Sequence, residues 1–324
     1  MATNAASEGL ILVGTDGSER AQRAVDWAAR EAEMRGSRLT ILTAWTAQHL
    51  ADATLWAAGY SGSKLLEEIR AQQVAEATML VEKAARSIRE RFPDIEVRTV
   101  VQEGDARDAL VEYGKDASLI VVGSRGAGPI ASVALGSVAF WLTRHAETPV
   151  AIVPSESGSA EAHLQHRGVV VGVSLDPLSA KLVAAAAEEA EERQCDLILA
   201  FCAWDGRAAK HRWEAVDEAE LDDLGVDVVD RLAAAIKKDH PRLEVRRQFA
   251  RGAADRYLSD LASHHEVLVV GRRSATLLDL LGLGAVGTAV FHDASFVVLV
   301  VPLTKADDEE MEASGQVCRP ARAG

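Results

Sequence analysis

The sequence is poor in cysteine. Its three cysteines, Cys195, Cys202 and Cys318, show no metal-ligand spacing, and so sparse and odd a set excludes a disulfide scaffold and predicts a reducing compartment. Cys195 and Cys202 flank an apolar run, which indicates core positions. Cys318 lies in a polar tail, where it is either a reactive thiol or an exposed cysteine without a role.

The sequence also has fewer basic than acidic residues, and it has no long apolar runs. The chain has 35 Lys and Arg against 49 Asp and Glu, a formal net charge of -14. Such a surface repels a nucleic-acid backbone, and no local basic patch offsets it, so we predict no nucleic-acid partner. No apolar run approaches the length of a bilayer span, and the N-terminus lacks a basic region followed by an apolar one. We therefore predict a cytoplasmic protein without a membrane segment.

What remains is an ordinary globular composition, with 48% apolar and 26% charged residues in 324 positions, enough for two domains. In the first half, short apolar runs alternate with segments of helical periodicity. This order predicts an α/β domain, a parallel sheet with helices on both faces. The predicted strands are 10–13, 39–45, 95–101, 119–122 and 149–153.

The pattern then repeats. Gly252 and Gly271 follow Gly104 and Gly123 by 148 residues, whereas the glycines of the first strands are 158 apart. A duplicated domain explains both spacings if the first copy carries about ten extra residues near 46–63. The predicted organisation is a flexible N-terminus (1–8), a first domain (9–154), a linker (155–167), a second domain (168–302) and a disordered acidic tail (303–324).

One stretch of the first copy, 118–138, carries the clearest chemical signal. A buried strand ends at Gly123, a glycine-rich loop follows, and a helix begins after Gly136; with Gly126 and Ser137 the spacing is G-x-x-G-x9-G-S. The first amides of a helix have no internal partner and lie at the positive end of its dipole, and glycine lets amides approach an anion closely. The pattern predicts a phosphate site; the alternative is a tight loop with a helix cap at Ser137.

This spacing resembles the ATP-binding signature of the universal stress protein family. Two further segments match that family: V-G-T-D-G-S at 13–18 and E-G-D at 103–105. With the duplication, the chain resembles a tandem universal stress protein. The resemblance implies two Rossmann-like domains of the adenine nucleotide α-hydrolase-like kind, each a five-stranded parallel sheet flanked by helices, with ATP bound by the first.

The resemblance also implies which residues hold the nucleotide. Asp16 and Ala44 would contact the nucleoside end with Thr15 nearby, and the glycine loop would hold the ribose and phosphates. Arg125 would screen phosphate charge, unless it is an ordinary solvated arginine. Asp16 could hold Mg²⁺, contact the ribose or act as a helix N-terminal carboxylate. The implied ATP-binding residues are Thr15, Asp16, Ala44, Val122, Gly123, Arg125, Gly126, Gly136, Ser137 and Val138.

The second copy departs from this pattern. Under the repeat alignment, Ser174, Ser274, Thr276 and Ala285 stand where the first copy has Asp16, Gly126, Gly128 and Ser137. Of the glycines in the G-x-x-G-x9-G-S spacing, only Gly123 and Gly136 keep glycine partners, Gly271 and Gly284. We therefore predict that ATP binds only to the first copy.

Catalysis is not expected to be strong. The glycine loop lacks the lysine of G-x-x-x-x-G-K-[ST], and no second acidic or basic group is placed near the phosphates, which predicts at most slow hydrolysis. An adenylyl-transferring enzyme would need a basic catalytic residue that the sequence does not identify.

Two interpretations remain: a nucleotide-dependent stress-response regulator, or an interaction scaffold of the same fold that binds no nucleotide. A homodimer and an unknown protein partner are expected in either case.

Overall fold

The computed structural model describes residues 9–46, 63–124, 135–154, 168–176, 178–203, 213–217, 223–273 and 295–303. The chain forms two compact units, Met1–Ser155 and Glu156–Gly324. The predicted N-terminus (1–8), linker (155–167) and all of the predicted tail beyond residue 303 lie outside the described residues. Within those residues, no helix combines the length and apolarity needed to cross a bilayer.

The first unit is a parallel sheet of five strands in the order β3-β2-β1-β4-β5. This confirms the predicted architecture of the first domain. The strands are β1 (Leu10–Gly14), β2 (Arg38–Trp45), β3 (Val97–Glu103), β4 (Leu119–Gly123) and β5 (Val150–Val153). The helices are α1 (Glu19–Arg35), α2 (Ser63–Arg91), α3 (Ala106–Gly114) and α4 (Ser137–His145).

The central strands form the core of this unit. Ile11, Leu12 and Val13 on β1 are fully buried, and so is Val121 on β4. Strands that lie between helix layers bury both faces, which is why their sequences are continuous apolar runs without alternation. Helix α1 packs on β1 and β4, and α2 packs on β2 and β3.

The second unit repeats this arrangement and adds an edge strand. Its order is β11-β10-β6-β7-β9-β8, parallel except for β8, which pairs antiparallel with β9. The strands are β6 (Gly168–Val173), β7 (Asp196–Ala203), β8 (Trp213–Ala215), β9 (Val245–Gly252), β10 (Val267–Arg273) and β11 (Val297–Leu303). The helices are α5 (Ser179–Glu192), α6 (Asp223–Asp239) and α7 (Ala254–Ala262).

The sequence did not predict β8. It has three residues, too few to show periodicity, and its strand conformation comes from hydrogen bonding to the exposed side of β9. The predicted tail began at residue 303, but β11 includes Leu303.

The duplication is visible in the backbone. Gly104, which follows β3, and the equivalent Gly252, the last residue of β9, both have φ 128°. The helices after the first strands end in the same left-handed turn, formed by Gly36 (φ 61°) in one unit and Gln194 (φ 52°) in the other. Equivalent positions thus keep the same rare conformation even where glycine has been replaced.

The two units differ in the helix that follows their second strand. Arg91 and Asp239, the last residues of α2 and α6, are 148 positions apart, yet α2 has 29 residues and α6 has 17. The first unit therefore has a helical extension, residues 63–74, without a counterpart among the described residues of the second unit. Residues 47–62, where most of the extra length was expected, lie outside the described residues.

Candidate functional site

The candidate site lies where the carboxyl ends of the first unit's strands meet. Because β1 has β2 on one side and β4 on the other, the chain leaves β1 toward one half of the sheet and returns through β4 to the other half. The loops after these two strands diverge at such a switch point and leave a crevice between them. Thr15 and Asp16 follow β1, and Gly123 ends β4.

The turn after β1 is fixed by its own hydrogen bonds. Thr15 is buried, its N–H donates to the Leu42 carbonyl of β2 at 2.9 Å, and its Oγ1 accepts from the Gly17 N–H at 3.2 Å. Gly17 has φ 77°, and a Cβ there would lie 2.6 Å from Leu80 Cδ1 of α2. Both facts require glycine, so α2 helps to set the shape of this turn.

Asp16 lies just before α1, as a carboxylate near the N-terminus of that helix. Its Oδ1 accepts from the Ser18 N–H at 3.0 Å, and the Ser18 hydroxyl caps α1 by accepting from the Ala21 N–H at 3.1 Å. Among the residues that the structure describes, no group of three or more His, Cys, Asp or Glu could hold a metal ion. The assignment of Mg²⁺ to Asp16 stays a prediction.

The end of β4 and the start of α4 are pinned together. Ser124 donates from its N–H to the Val153 carbonyl at 2.7 Å and accepts from the Gly136 N–H at 2.7 Å. These bonds bring Gly136 to the edge of the sheet although twelve positions separate it from Ser124. Residues 125–134, which include Arg125, Gly126 and Gly128, lie outside the described residues.

Gly136 is the N-cap residue of α4, and no side chain of the described residues caps this helix end. Its backbone is extended (φ -64°, ψ 156°), and α4 starts at Ser137, which is exposed, followed by the half-buried Val138. The first-turn amides of a helix have no acceptor within it and carry the positive end of its dipole. With no side-chain oxygen on Gly136, this end suits an anionic ligand.

The structure brings most of the predicted residues to this one edge. Ala44 lies near the end of β2, in register with Gln102 of β3, and Trp45 lies opposite Glu103. Val122 is buried beneath the end of β4. The predicted residues at this edge are Thr15, Asp16, Ala44, Val122, Gly123, Gly136, Ser137 and Val138.

The E-G-D segment has structural roles at the same edge. Asp105 caps α3 by accepting from the Arg107 N–H at 2.8 Å, and hydrogen bonds from the Arg107 side chain hold the pKa of Asp105 below its ordinary value. The Arg107 guanidinium lies 5.2 Å from the ring centre of Trp141, so it connects α3 to α4. Glu103 forms an ion pair with Arg70 of α2, at 2.6 Å.

Sequence reasoning missed the part that α2 plays. Neither Arg70 nor Leu80 belongs to a motif, because both lie inside a long helix whose register against the sheet cannot be read from periodicity alone. The E-G-D match was the one available signal for this contact: it drew attention to Glu103 but did not identify Arg70 as its partner.

The corresponding edge of the second unit is built differently. Ser174, which replaces Asp16, donates its N–H to Ser179 Oγ at 3.1 Å, and the Ser179 hydroxyl is 3.0 Å from the Ser174 carbonyl. These bonds close the turn on itself. Leu175 stands in place of Gly17 and is 52% exposed. The other predicted differences, at Ser274, Thr276 and Ala285, and the retained Gly284 lie outside the described residues.

The fold and this edge define a tandem α/β protein of Rossmann-like architecture. The model of the universal stress protein family matches residues 10–154. One universal stress protein of Mycobacterium tuberculosis is 32% identical over 297 residues, which cover 90% of this chain and 95% of the relative. Another from the same species is 29% identical over 301 residues, covering 90% and 94%. The chain belongs to the universal stress protein family.

Solved structures agree on the fold. A universal stress protein from Archaeoglobus fulgidus has a TM-score of 0.62 and 17% sequence identity, covering 92% of this chain and 97% of its own. A putative universal stress protein from Pseudomonas aeruginosa has a TM-score of 0.55 and 16% identity, covering 96% and 99%. The tandem arrangement of two such domains is thus found in proteins of similar length.

Proposed function

We propose that this universal stress protein binds ATP in its first unit alone and acts as a nucleotide-dependent stress-response regulator with at most slow hydrolysis. The observation that carries the proposal is the start of α4. Its N-cap, Gly136, has no side chain, and the bond from its N–H to the Ser124 carbonyl holds the helix end beside β4. The amides of Ser137 and Val138 would take phosphate oxygens there.

The other side of the crevice supports the same ligand. Thr15 and Asp16 lie on the neighbouring strand's loop, because β1 pairs with β4. Ala44 is one strand further away, on β2, which pairs with the other side of β1. A nucleotide with its phosphates at α4 would therefore extend its nucleoside across β1 toward β2. Local amides and a helix dipole supply positive potential even in a chain with a net charge of -14.

The groups at this edge favour binding over catalysis. Thr15 and Ser137 offer hydroxyls, and Asp16 offers one carboxylate, whose Oδ1 already accepts a hydrogen bond. Hydrolysis requires a base positioned against a water molecule, or a metal that stabilises developing charge. Bound ATP would supply a reactive triphosphate, and these residues would bind and orient it. Mg²⁺ would reach this site with the nucleotide, beside Asp16.

Substitution of Gly136 tests the proposal. Gly136→Asp is compatible with the extended backbone there, and aspartate is a favoured N-cap, so the unit should fold normally. Its carboxylate would occupy the phosphate position; two like charges about 4 Å apart repel by about 1–4 kcal/mol, a loss of affinity of about fivefold to several hundredfold.

The measurement is ATP affinity by calorimetry, together with extraction of nucleotide from protein purified without added ligand. In the wild type, ATP at about 100 times its dissociation constant should stabilise the binding unit by about 2.7 kcal/mol. Gly284→Asp, at the equivalent position of the second unit, is the matched control and should bind ATP like the wild type. Wild-type protein that binds no ATP, or a loss caused by Gly284→Asp instead, would contradict the proposal.

The alternative is an interaction scaffold. The turn that Ser174 and Ser179 close by bonding to each other favours that role for the second unit. In a regulator, ATP should change homodimer formation or partner capture, and Gly136→Asp should abolish the change. In a scaffold, association would be the same with and without ATP, as sedimentation velocity can measure.

A further inference from the structure

Helix α2 runs along β3 in the opposite direction and reaches the candidate site. Arg89 Nη2 donates to the Val97 carbonyl at 2.9 Å near the start of β3, and Thr99 Oγ1 lies 2.7 Å from Glu82 Oε1 further along. Each step toward the N-terminus of α2 therefore moves toward the carboxyl end of β3. The helical extension of α2, residues 63–74, lies at that end.

Two contacts, made by Leu80 and Arg70, fix α2 to the edge of the sheet. Leu80 packs against Gly17 in the turn after β1, where an added Cβ would lie 2.6 Å from its Cδ1. Ten residues earlier, Arg70 Nη2 donates to both carboxylate oxygens of Glu103, the last residue of β3, at 2.6 Å. We call this ion pair the clasp.

The end of β2 lies between these two contacts. In the sheet, β2 is between β1 and β3, and Trp45 of β2 is in register with Glu103. Ala44, which the family resemblance places at the nucleoside, is the preceding residue of β2. A helix that is attached above β1 at Leu80 and beside β3 at Arg70 must pass along the end of β2.

We propose that the Arg70–Glu103 clasp is a positioning pair that holds the extension of α2 as a wall for the nucleoside end of the crevice. This inference rests on the proposed binding of ATP and deepens it. Among the described residues, the extension is found in the unit that is expected to bind nucleotide. The clasp also gives the Glu103 carboxylate a role, since Asp105 and not Glu103 caps the helix after β3.

The clasp is so exposed to solvent that it is expected to contribute little to the folding stability of the first unit. The Arg70 and Glu103 side chains are 53% and 46% exposed, and ion pairs with such access to water contribute little to folding. Its geometry is nevertheless specific, because a single nitrogen is shared by both oxygens across 33 positions of sequence. An ion pair that contributes little to folding can still shift the equilibrium between two positions of a helix end, and so change the population of each position.

The test reverses the charges and measures ligand affinity alongside stability. Arg70→Glu should raise the dissociation constant for ATP about fivefold if it lowers the population of the binding-competent helix position to about one fifth. The melting temperature without ligand should move by less than about 2 °C. Arg70→Glu combined with Glu103→Arg restores an ion pair of the opposite direction and should recover most of the affinity.

Two controls separate positioning from general effects. Arg98→Glu breaks another exposed ion pair, 2.6 Å between Arg98 near the opposite end of β3 and Glu96, which precedes that strand. This change should leave ATP affinity unchanged. Inorganic tripolyphosphate has no nucleoside, so its competition with a fluorescent ATP analogue should give the same inhibition constant in the wild type and in Arg70→Glu. Equal weakening of tripolyphosphate and ATP, or unchanged ATP affinity in Arg70→Glu, would overturn the inference.

These results are distinguishable from failure of the proposed function. If the wild type binds no ATP, the proposed function fails and the inference fails with it. If the wild type binds ATP and Gly136→Asp does not, yet Arg70→Glu binds normally, the proposed function stands and the clasp has no part in it. If the double charge reversal does not recover ATP affinity, the Arg70–Glu103 ion pair is not the cause of the loss in Arg70→Glu, and the inference is likewise overturned.

Discussion

The left-handed turns that end α1 and α5 allow a stability prediction with a calculable size. In both units an equivalent hydrogen bond closes the helix: the Ser37 N–H donates to the Ala32 carbonyl at 2.9 Å in the first, and the Cys195 N–H to the Ala190 carbonyl at 3.0 Å in the second. The first unit uses Gly36 in the left-handed position, whereas the second uses Gln194.

We predict that Gln194→Gly stabilises the second unit by about 0.5–1 kcal/mol. A residue with a Cβ costs about 1–2 kcal/mol in this conformation. Glycine avoids that cost but loses about 0.5–1 kcal/mol more conformational freedom on folding. Because Gln194 is exposed, its side chain contributes little packing that could be lost. For a unit of this size the gain corresponds to about 1–4 °C in melting temperature.

The reciprocal change provides the matched control. Gly36→Gln should destabilise the first unit by a similar amount, and for conformational reasons alone, since an added Cβ at Gly36 would find no atom within 4 Å. Gln194→Ala keeps the Cβ and removes the rest of the side chain, so it should leave stability nearly unchanged.

Hydrogen exchange resolved to peptides around α1 and α5 is the suitable assay, because a protein with two compact units need not unfold in one step. Slower exchange should be confined to the α5 region in Gln194→Gly, and faster exchange to the α1 region in Gly36→Gln. A destabilising Gln194→Gly, or an equal gain from Gln194→Ala, would refute the conformational explanation.

Two further predictions concern the turn after β1 and the thiols. Gly17→Ala should destabilise the first unit by about 2–5 kcal/mol, the sum of the left-handed cost and the clash with Leu80, and Gly17→Ala with Leu80→Ala should recover the clash part in thermal unfolding. Burial raises the pKa of Cys195 to about 12 and that of Cys202 to about 11, so alkylation at pH 8, followed by peptide mass spectrometry, should modify both far more slowly in native than in unfolded protein. Rapid native modification of Cys195 would contradict its burial, and Cys318 in the same digest serves as the internal comparison.

Much of the first unit could be predicted because its signals are local. The runs at 10–13 and 119–122 are apolar without alternation since both faces of those strands are covered, and the structure has β1 and β4 there. Gly136 was singled out by spacing, and it is the N-cap of α4. The tandem family assignment followed from such segments together with the repeat.

Other features could not be predicted because they depend on which segments become neighbours. Strand β8 exists through its pairing with β9, and its three residues carry no pattern of their own. Arg70 and Glu103 are 33 positions apart, and their attraction has no signature in sequence until the direction of α2 along β3 is known. The same holds for Leu80, whose contact with Gly17 depends on how two helices pack on one sheet face.

The sequence by itself determined the alternation of strands and helices, the duplication and the divergence of the second copy, since each is written in spacing and residue type along the chain. Tertiary structure decided how the crevice is bounded. It joined Gly136 to Ser124, closed the Ser174 turn on Ser179 and placed Arg70 of α2 against Glu103 at the end of β3. The physical reason is that periodicity reports which face of an element is apolar, while the partner of an exposed charge or of a backbone N–H at a loop is set by the packing of the whole unit.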